Sequence, residues 1–142
     1  MDSKKLIRSI IIQKEMKSIS QRLENVKKLQ AKRWENEDHW DTLNELLVKE
    51  LDEILLIEPE NTSALINIGA IYSDMGENEK ALEYLRMALN LGSEDKNLFV
   101  NLAIVMIYME KHQAEYLEYL EDAEGKVENP LTFKAYFDPQ SH

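Results

Sequence analysis

The chain has no cysteine, which excludes a disulfide framework and any metal site built on thiolates. Helix-breaking residues are also scarce: there are three prolines and four glycines, and the first of each are Pro59 and Gly69. Nothing before Pro59 therefore obliges a helix to end. The sequence predicts a largely helical amino-terminal part.

Long apolar runs are missing as well. None approaches the roughly 18 residues that a membrane span requires. Near the start, Ile10–Ile12 are followed by Gln13 and Lys14 with no small-residue cleavage site, which is a poor signal peptide. We expect a cytoplasmic protein. With 142 residues and 44% apolar side chains, one folded domain with its own core is expected.

Motifs for catalysis or metal binding are absent from the sequence. The three histidines, His39, His112 and His142, have no spacing typical of ligand pairs, and there is no glycine-rich phosphate loop or nucleophile elbow. The acidic segment between Glu115 and Glu124 is more typical of a solvated helix face than of a carboxylate pair. We therefore predict no enzymatic activity, no cofactor and no metal.

Basic residues become rare after Arg33. Residues 1–33 carry ten Lys and Arg against three Asp and Glu, whereas the rest of the chain carries seven against 24, for a total charge of −10. A basic helix can contact nucleic acid or an anionic membrane. Packing on acidic repeats, in the same chain or a sister chain, is favoured here because no nucleic-acid motif accompanies the charge. The acidic part favours encounter with a basic protein.

Hydrophobic spacing indicates two helices before Pro59. The first has a seam at steps of four and three residues, and a polar cluster at Asn36–Asp38 predicts a break before the second. The seam of the first helix comprises Ile12, Met16, Ile19, Leu23 and Val26. One face of the second carries Trp40, Leu43, Leu47, Leu51, Ile54 and Leu55.

Residues 62–95 have a distinctive spacing of apolar and small residues. The positions are Leu65, Ile68, Gly69 and Tyr72, then Ala81, Leu85 and Ala88. This spacing resembles the tetratricopeptide repeat, a helical hairpin of 34 residues. Small Gly69 and Ala81 would let two helices approach closely, and Gly76 stands where the turn needs a positive φ.

Weaker copies of the pattern flank this repeat. Forward, the matched positions are Phe99, Asn101, Leu102, Ala103 and Met106, and then, after one inserted residue, Leu120 and Ala123. Backward, they are Leu51, Ile54, Leu55 and Ile57. The resemblance covers roughly residues 40–124, and about three such units are needed for a stable stack.

The resemblance implies an all-α, tetratricopeptide-like solenoid of helical hairpins with a long amino-terminal helix. We predict a basic amphipathic helix at 1–35, repeats at 36–125 and a tail or capping segment at 126–142. The tail could be helical from Pro130, or extended, because apolar residues alternate from Leu131 to Phe137. We expect it to fold back near Leu117 and Leu120, and the first helix to pack through Ile12, Met16, Ile19 and Leu23.

In this family the first helices of successive repeats line a groove that binds peptides or helices. The resemblance therefore implies a protein-binding module whose partner is a peptide, a helix or a basic protein surface, with nucleic acid disfavoured. The groove candidates are Ile66, Asn67, Ala70, Ser73, Asp74, Asn97, Val100, Asn101, Ile104 and Tyr108. Core packing is an equally good interpretation of Ile66, Val100 and Ile104. A clamp for a terminal carboxylate is disfavoured because only Lys96 supplies positive charge nearby.

Small bacterial secretion chaperones, adaptors, and immunity or inhibitor proteins that neutralise basic toxins are similar in size, repeat content or acidity. The alternative class is a structural homo-oligomer, including a homodimer, assembled through the basic first helix.

Overall fold

The computed structural model describes residues 2–137, without the side chains of residues 14–17. The helices are α1 (Ser3–Lys32), α2 (Trp40–Ile57), α3 (Thr62–Asp74), α4 (Asn78–Asn90), α5 (Lys96–Tyr108) and α6 (Gln113–Ala123). Within residues 2–137 there is no β-strand, and each helix packs on its neighbours in the chain. The predicted all-α repeat fold is confirmed.

Polar residues and glycine set the helix ends. Two short 3-10 turns, Arg33–Glu35 and Glu37–His39, form the predicted break between α1 and α2. The side chain of Asn61 caps α3 by accepting from Ala64 N, which satisfies one of the free amides of the first turn. Gly76, between α3 and α4, has a φ of +79°, a conformation that side chains disfavour.

The contact between α3 and α4 is as close as the repeat pattern predicts. A Cβ atom on Gly69 would lie 2.7 Å from Cγ of Leu85 and 3.3 Å from the carbonyl oxygen of Ala81. Leu85 and Ala81 are themselves fully buried. Only glycine leaves room for this approach of the two helices.

In α6 the expected pattern is only partly present. Ala123 is buried, but Leu120, predicted to stand where Leu85 does in the repeat before, is 39% exposed. Tyr116 and Tyr119 pack against the core instead. Leu120 follows Tyr116 by four residues and precedes Ala123 by three, so it borders the same face but is left partly uncovered.

The first helix is buried along only part of its length. Ile19, Leu23 and Val26 belong to the core as expected, but Ile12 is 47% exposed, so its predicted packing is wrong. The side chain of Met16 lies outside the described part. The start of α1 is exposed because α1 is longer than α2. With 30 residues against 18, it extends about 18 Å further at 1.5 Å per residue.

We name residues 3–13 of α1 the overhang. A short turn joins α1 to α2, which makes them antiparallel neighbours, and α2 ends before it reaches this stretch. All of the overhang is exposed, including the large apolar side chains of Leu6, Ile7, Ile10, Ile11 and Ile12.

After α6 the chain folds back, and residues 130–137 (the tail) run without helical structure along α3 and α5. The extended alternative is therefore the one that the structure adopts. The expected fold-back is therefore present, but its expected place near Leu117 and Leu120 is wrong, because the tail bonds to α3 and α5. The three-segment division of the chain stays a prediction. In the described part, no helix is both long enough and apolar enough to cross a membrane.

Candidate functional site: a groove occupied by the tail

We use "groove" for the face that α3 and α5 present to the tail. Asn67 is fully buried in α3, and its side chain binds main-chain groups of the tail. Its Nδ2 donates to the carbonyl of Leu131 at 2.9 Å, and its Oδ1 accepts from the amide of Phe133 at 3.1 Å. The side-chain amide of Asn67 thus bonds to the main chain on both sides of Thr132, as a neighbouring β-strand would.

Asn101 does the same one step further along. Its Nδ2 donates to the carbonyl of Phe133 at 3.1 Å, and its Oδ1 accepts from the amide of Ala135 at 2.8 Å. Asn101 follows Asn67 by 34 residues, the length of one repeat. Asn101 therefore bonds on both sides of Lys134, so that a step of one repeat along the helices corresponds to a step of two residues along the tail.

The start of α5 fixes the beginning of the tail. The Thr132 hydroxyl donates to Oδ2 of Asp95 at 2.8 Å and accepts from Nδ2 of Asn97 at 3.0 Å. Asp95 also caps α5 by accepting from the Asn97 amide at 3.0 Å. From α1, the Lys27 ammonium donates to the carbonyl of Pro130. Helix capping and tail binding therefore share the same carboxylate.

The last turns of α3 and α5 hold the far end. Oδ1 of Asp74 accepts from the Tyr136 amide at 2.6 Å, and the Tyr108 hydroxyl donates to the Tyr136 carbonyl at 3.3 Å. The Tyr136 ring lies 5.0 Å from the ring of Trp34, which in turn lies 5.3 Å from that of Trp40. The tail therefore ends in a cluster of aromatic rings beside the end of α1.

A buried ion pair supports this end of the groove. The guanidinium of Arg33 donates to Oδ2 of Asp74 and to Oδ1 of Asn44, each at 2.8 Å, and lies over the Trp40 ring. Both charged side chains are almost fully buried, with 1% exposure for Arg33 and 0% for Asp74. Burial raises the pKa of the Asp74 carboxyl above 3.8, while the charge of Arg33 and the hydrogen bonds from Tyr136 and Arg33 oppose the rise.

Alternate tail side chains complete the core. Phe133 and Ala135 are buried in it, and Leu131 and Phe137 pack partly against it. Lys134, between them, is exposed. Thr132 departs from this alternation, because it is also buried and bonds to Asp95 and Asn97. From Phe133 onward the period of two is that of a strand, although the main chain pairs with side chains and not with a sheet.

The groove helices carry polar atoms that the tail does not bind. Ser73 Oγ on α3 and Asn97 Oδ1 on α5 are buried without a hydrogen-bond partner among the described residues. A buried polar atom left unpaired costs about 1–3 kcal/mol. Both atoms lie on the helices that hold the tail.

All ten predicted groove residues lie on α3 or α5. Half of them hydrogen-bond to the tail: Asn67, Asp74, Asn97, Asn101 and Tyr108. The others are buried or partly buried on the same helices: Ile66, Ala70, Ser73, Val100 and Ile104. Whether these residues bind a partner stays a prediction.

Sequence reasoning missed four contributors to the site: Arg33, Lys27, Asp95 as a tail ligand, and the tail as the occupant of the groove. One signal could have found the tail. The two asparagines one repeat apart can each bracket one residue of an extended segment, and the alternating segment 131–137 is such a ligand. Nothing local in the sequence marks Arg33 as the partner of Asp74.

No family model matches the chain. The chain is similar to Protein CTR9 homolog from Arabidopsis thaliana, with 39% identity over 56 residues, which is 39% of this chain and 5% of that protein. It thus spans a small fraction of the length of that relative. The all-helical structure and this local similarity are compatible with a tetratricopeptide-like fold.

Proposed function

We propose that the chain is a protein-interaction module that binds a partner in the groove of α3 and α5. The observation that carries this proposal is the pair of asparagines, Asn67 and Asn101, which hold an extended chain by its main chain. Such bonds give affinity for a peptide backbone, and pockets for alternate side chains give selectivity. No catalytic role is part of the proposal.

The charge of the molecule supports a basic partner. Outside residues 1–33, acidic residues outnumber basic ones by 24 to seven, which would speed encounter with a positively charged protein. A small chaperone, an adaptor or an inhibitor of a basic protein would each use the groove and this acidic surface. Cytoplasmic location is part of the same proposal.

Affinity capture from the native source tests this function with three forms of the full chain. The forms are the natural chain, a Phe133→Asp variant that weakens tail binding, and that variant with Asn67→Ala and Asn101→Ala added. We expect one protein to be enriched by the Phe133→Asp variant and lost with the asparagines. Equal capture by the last two forms would place the partner surface outside the groove.

The overhang favours a second candidate, a homo-oligomeric scaffold assembled through α1. Five large apolar side chains are exposed there beside Lys4, Lys5 and Arg8, an unpartnered patch on a basic helix. Gel filtration at low and high salt tests it. A salt-sensitive dimer that Ile7→Gln and Ile11→Gln abolish would support the scaffold, and a monomer at both salt concentrations would contradict it.

A further inference from the structure

We propose that the tail is a displaceable resident ligand of the groove, and that the external ligand is an extended peptide with the same alternation of apolar side chains. This inference rests on the proposed function. It adds that the partner is an extended peptide and that this peptide must displace the tail from the groove. The ligand would present apolar side chains at the places of Leu131, Phe133 and Ala135, and a free main chain between them.

The type of contact supports exchange with another peptide. Asn67 and Asn101 bond to main-chain groups of the tail, which any extended segment offers. Thr132 contributes a side-chain hydrogen bond, to Asp95 and Asn97. The groove therefore selects for conformation and for buried apolar side chains more than for a unique sequence.

Two polar atoms of the groove helices that the tail does not bind support displacement. Ser73 Oγ and Asn97 Oδ1 stay unpaired while the tail is bound, so the tail does not use every polar group of the helices that hold it. A peptide that supplied a partner to either atom would bind more tightly than the tail sequence does. Its advantage must overcome an intramolecular competitor whose effective concentration is on the order of millimolar.

A synthetic peptide with the sequence of residues 129–137, carrying a fluorophore at its amino terminus, is the probe. Its polarisation is measured with the full-length chain and with the full-length Phe133→Asp variant, in which a carboxylate replaces a buried ring. We expect at least tenfold tighter binding to the variant, because a resident competitor lowers apparent affinity by the fraction of groove that is free. Lys134→Asp, which adds a carboxylate at an exposed tail position, is the matched control and should bind like the natural chain.

Tail release has its own readout. The chain has two tryptophans, Trp34 and Trp40, and both rings lie in the cluster that Tyr136 joins. Emission should change in the Phe133→Asp variant and return towards the natural spectrum when unlabelled peptide is added. If circular dichroism shows that this variant does not fold, Ala135→Pro replaces it, since it removes the amide that donates to Asn101 and adds a ring at a buried tail position without burying a charge.

Modified peptides test the proposed register. Methylation of the amides equivalent to Phe133 and Ala135 removes both donors to the asparagines and should weaken binding at least tenfold. Methylation at the exposed Lys134 equivalent should have a smaller effect. Adding Asn67→Ala and Asn101→Ala to the variant should abolish binding.

Two outcomes would overturn the proposal. One is a folded variant with altered tryptophan emission that binds the peptide no better than a scrambled peptide. The other is equal binding with and without the two asparagines. If the tail peptide does not bind but a native protein is still captured through the groove, the proposed function holds and the tail does not resemble the partner. Peptide binding without groove-dependent capture would support the tail as a ligand of the groove and contradict the proposed function.

Discussion

Helix α3 and the overhang of α1 carry the same kinds of large apolar residue, Leu and Ile, and have opposite surroundings. In α3, Leu65, Ile66, Ile68 and Ile71 are at most 1% exposed, because α2, α4, α5 and the tail cover the helix. In the overhang, Leu6, Ile7, Ile10 and Ile11 are 45–57% exposed, because α2 ends first. Burial here is decided by neighbouring elements and not by composition.

Polar groups differ between the two regions in the same way. The groove buries Asn67, Asn101 and Asp74 and pairs each with the tail, whereas the charged groups of the overhang, such as Lys4 and Arg8, face solvent. Unpaired polar groups cost little in water and much in a core. Substitutions should therefore have large effects around α3 and small effects in the overhang.

The largest effect is expected from Gly69→Leu. Its Cβ alone would lie within 3 Å of Leu85, so α3 and α4 must separate, which should cost more than about 3 kcal/mol of unfolding free energy. Urea unfolding followed by circular dichroism measures the change. Glu79→Leu, an exposed position on α4, is the control and should stay within about 0.5 kcal/mol. Equal melting of the two variants would contradict the close contact.

The second largest loss of unfolding free energy is expected from Arg33→Met. It keeps an aliphatic stem but leaves Asp74 buried without its counter-charge, a loss of about 3 kcal/mol. Thermal and urea unfolding provide the measurement. Arg22→Ala breaks an exposed pair with Glu53, 3.9 Å long, and should change the unfolding free energy by no more than about 0.5 kcal/mol. Similar losses for both arginines would show that burial does not set the value of the Arg33 pair.

The pH dependence of Arg33→Met sharpens this comparison. The pKa of Asp74 is already raised by burial, so its contribution to stability is present below 3.8 and is lost as the pH rises through the folded-state pKa. Without Arg33 the pKa should rise further. The unfolding free energy of the variant should then keep falling to a higher pH than that of the natural chain as the pH rises above 3.8. Adding Asp74→Asn should remove this additional fall.

Asn101→Ala should have an intermediate effect. It leaves the Phe133 carbonyl and the Ala135 amide without partners in a buried site, which should cost about 2 kcal/mol. Tryptophan emission should change before global unfolding in a urea titration, because the tail is released first. Asn36→Ala, which removes one exposed bond to Lys32, is the control and should cost about 0.5 kcal/mol or less. If the change in tryptophan emission coincides with global unfolding in both variants, separate release of the tail is contradicted.

The smallest effect is expected in the overhang. Ile7→Gln together with Ile11→Gln should shift the unfolding free energy by no more than about 0.5 kcal/mol, because neither side chain is buried. Ile66→Gln in α3 is the matched substitution and should be severely destabilising. A large loss from the overhang pair would mean that this surface is covered in solution, and gel filtration would then show the additional copy.

Much of the helical framework could be predicted because its signals are local. The position of Pro59, the small residues Gly69 and Ala81, and the polar cluster before Trp40 each act within a few residues. They indicated the break after α1 and the hairpin of α3 and α4. The length of the overhang could not be predicted, since it depends on where two helices end relative to each other.

The site was predicted in separate parts. The asparagines were placed on the groove helices and the strand-like alternation of the tail was noted, but their contact spans 64 residues between Asn67 and Leu131. The Arg33–Asp74 pair spans 41 residues and follows no periodic pattern. Long-range pairing of this kind depends on how the hairpins stack, which local spacing does not specify.

The donors and acceptors of the groove also determine the direction in which a peptide can lie. An asparagine amide offers a donor and an acceptor that exchange places when the group turns over, so Asn67 and Asn101 could bracket a chain of either polarity. A carboxylate only accepts. Asp74 takes the Tyr136 amide and Asp95 takes the Thr132 hydroxyl, and a reversed backbone would bring a carbonyl towards Asp74. The asparagines set the spacing along the peptide, and Asp74 sets the direction in which its main chain runs.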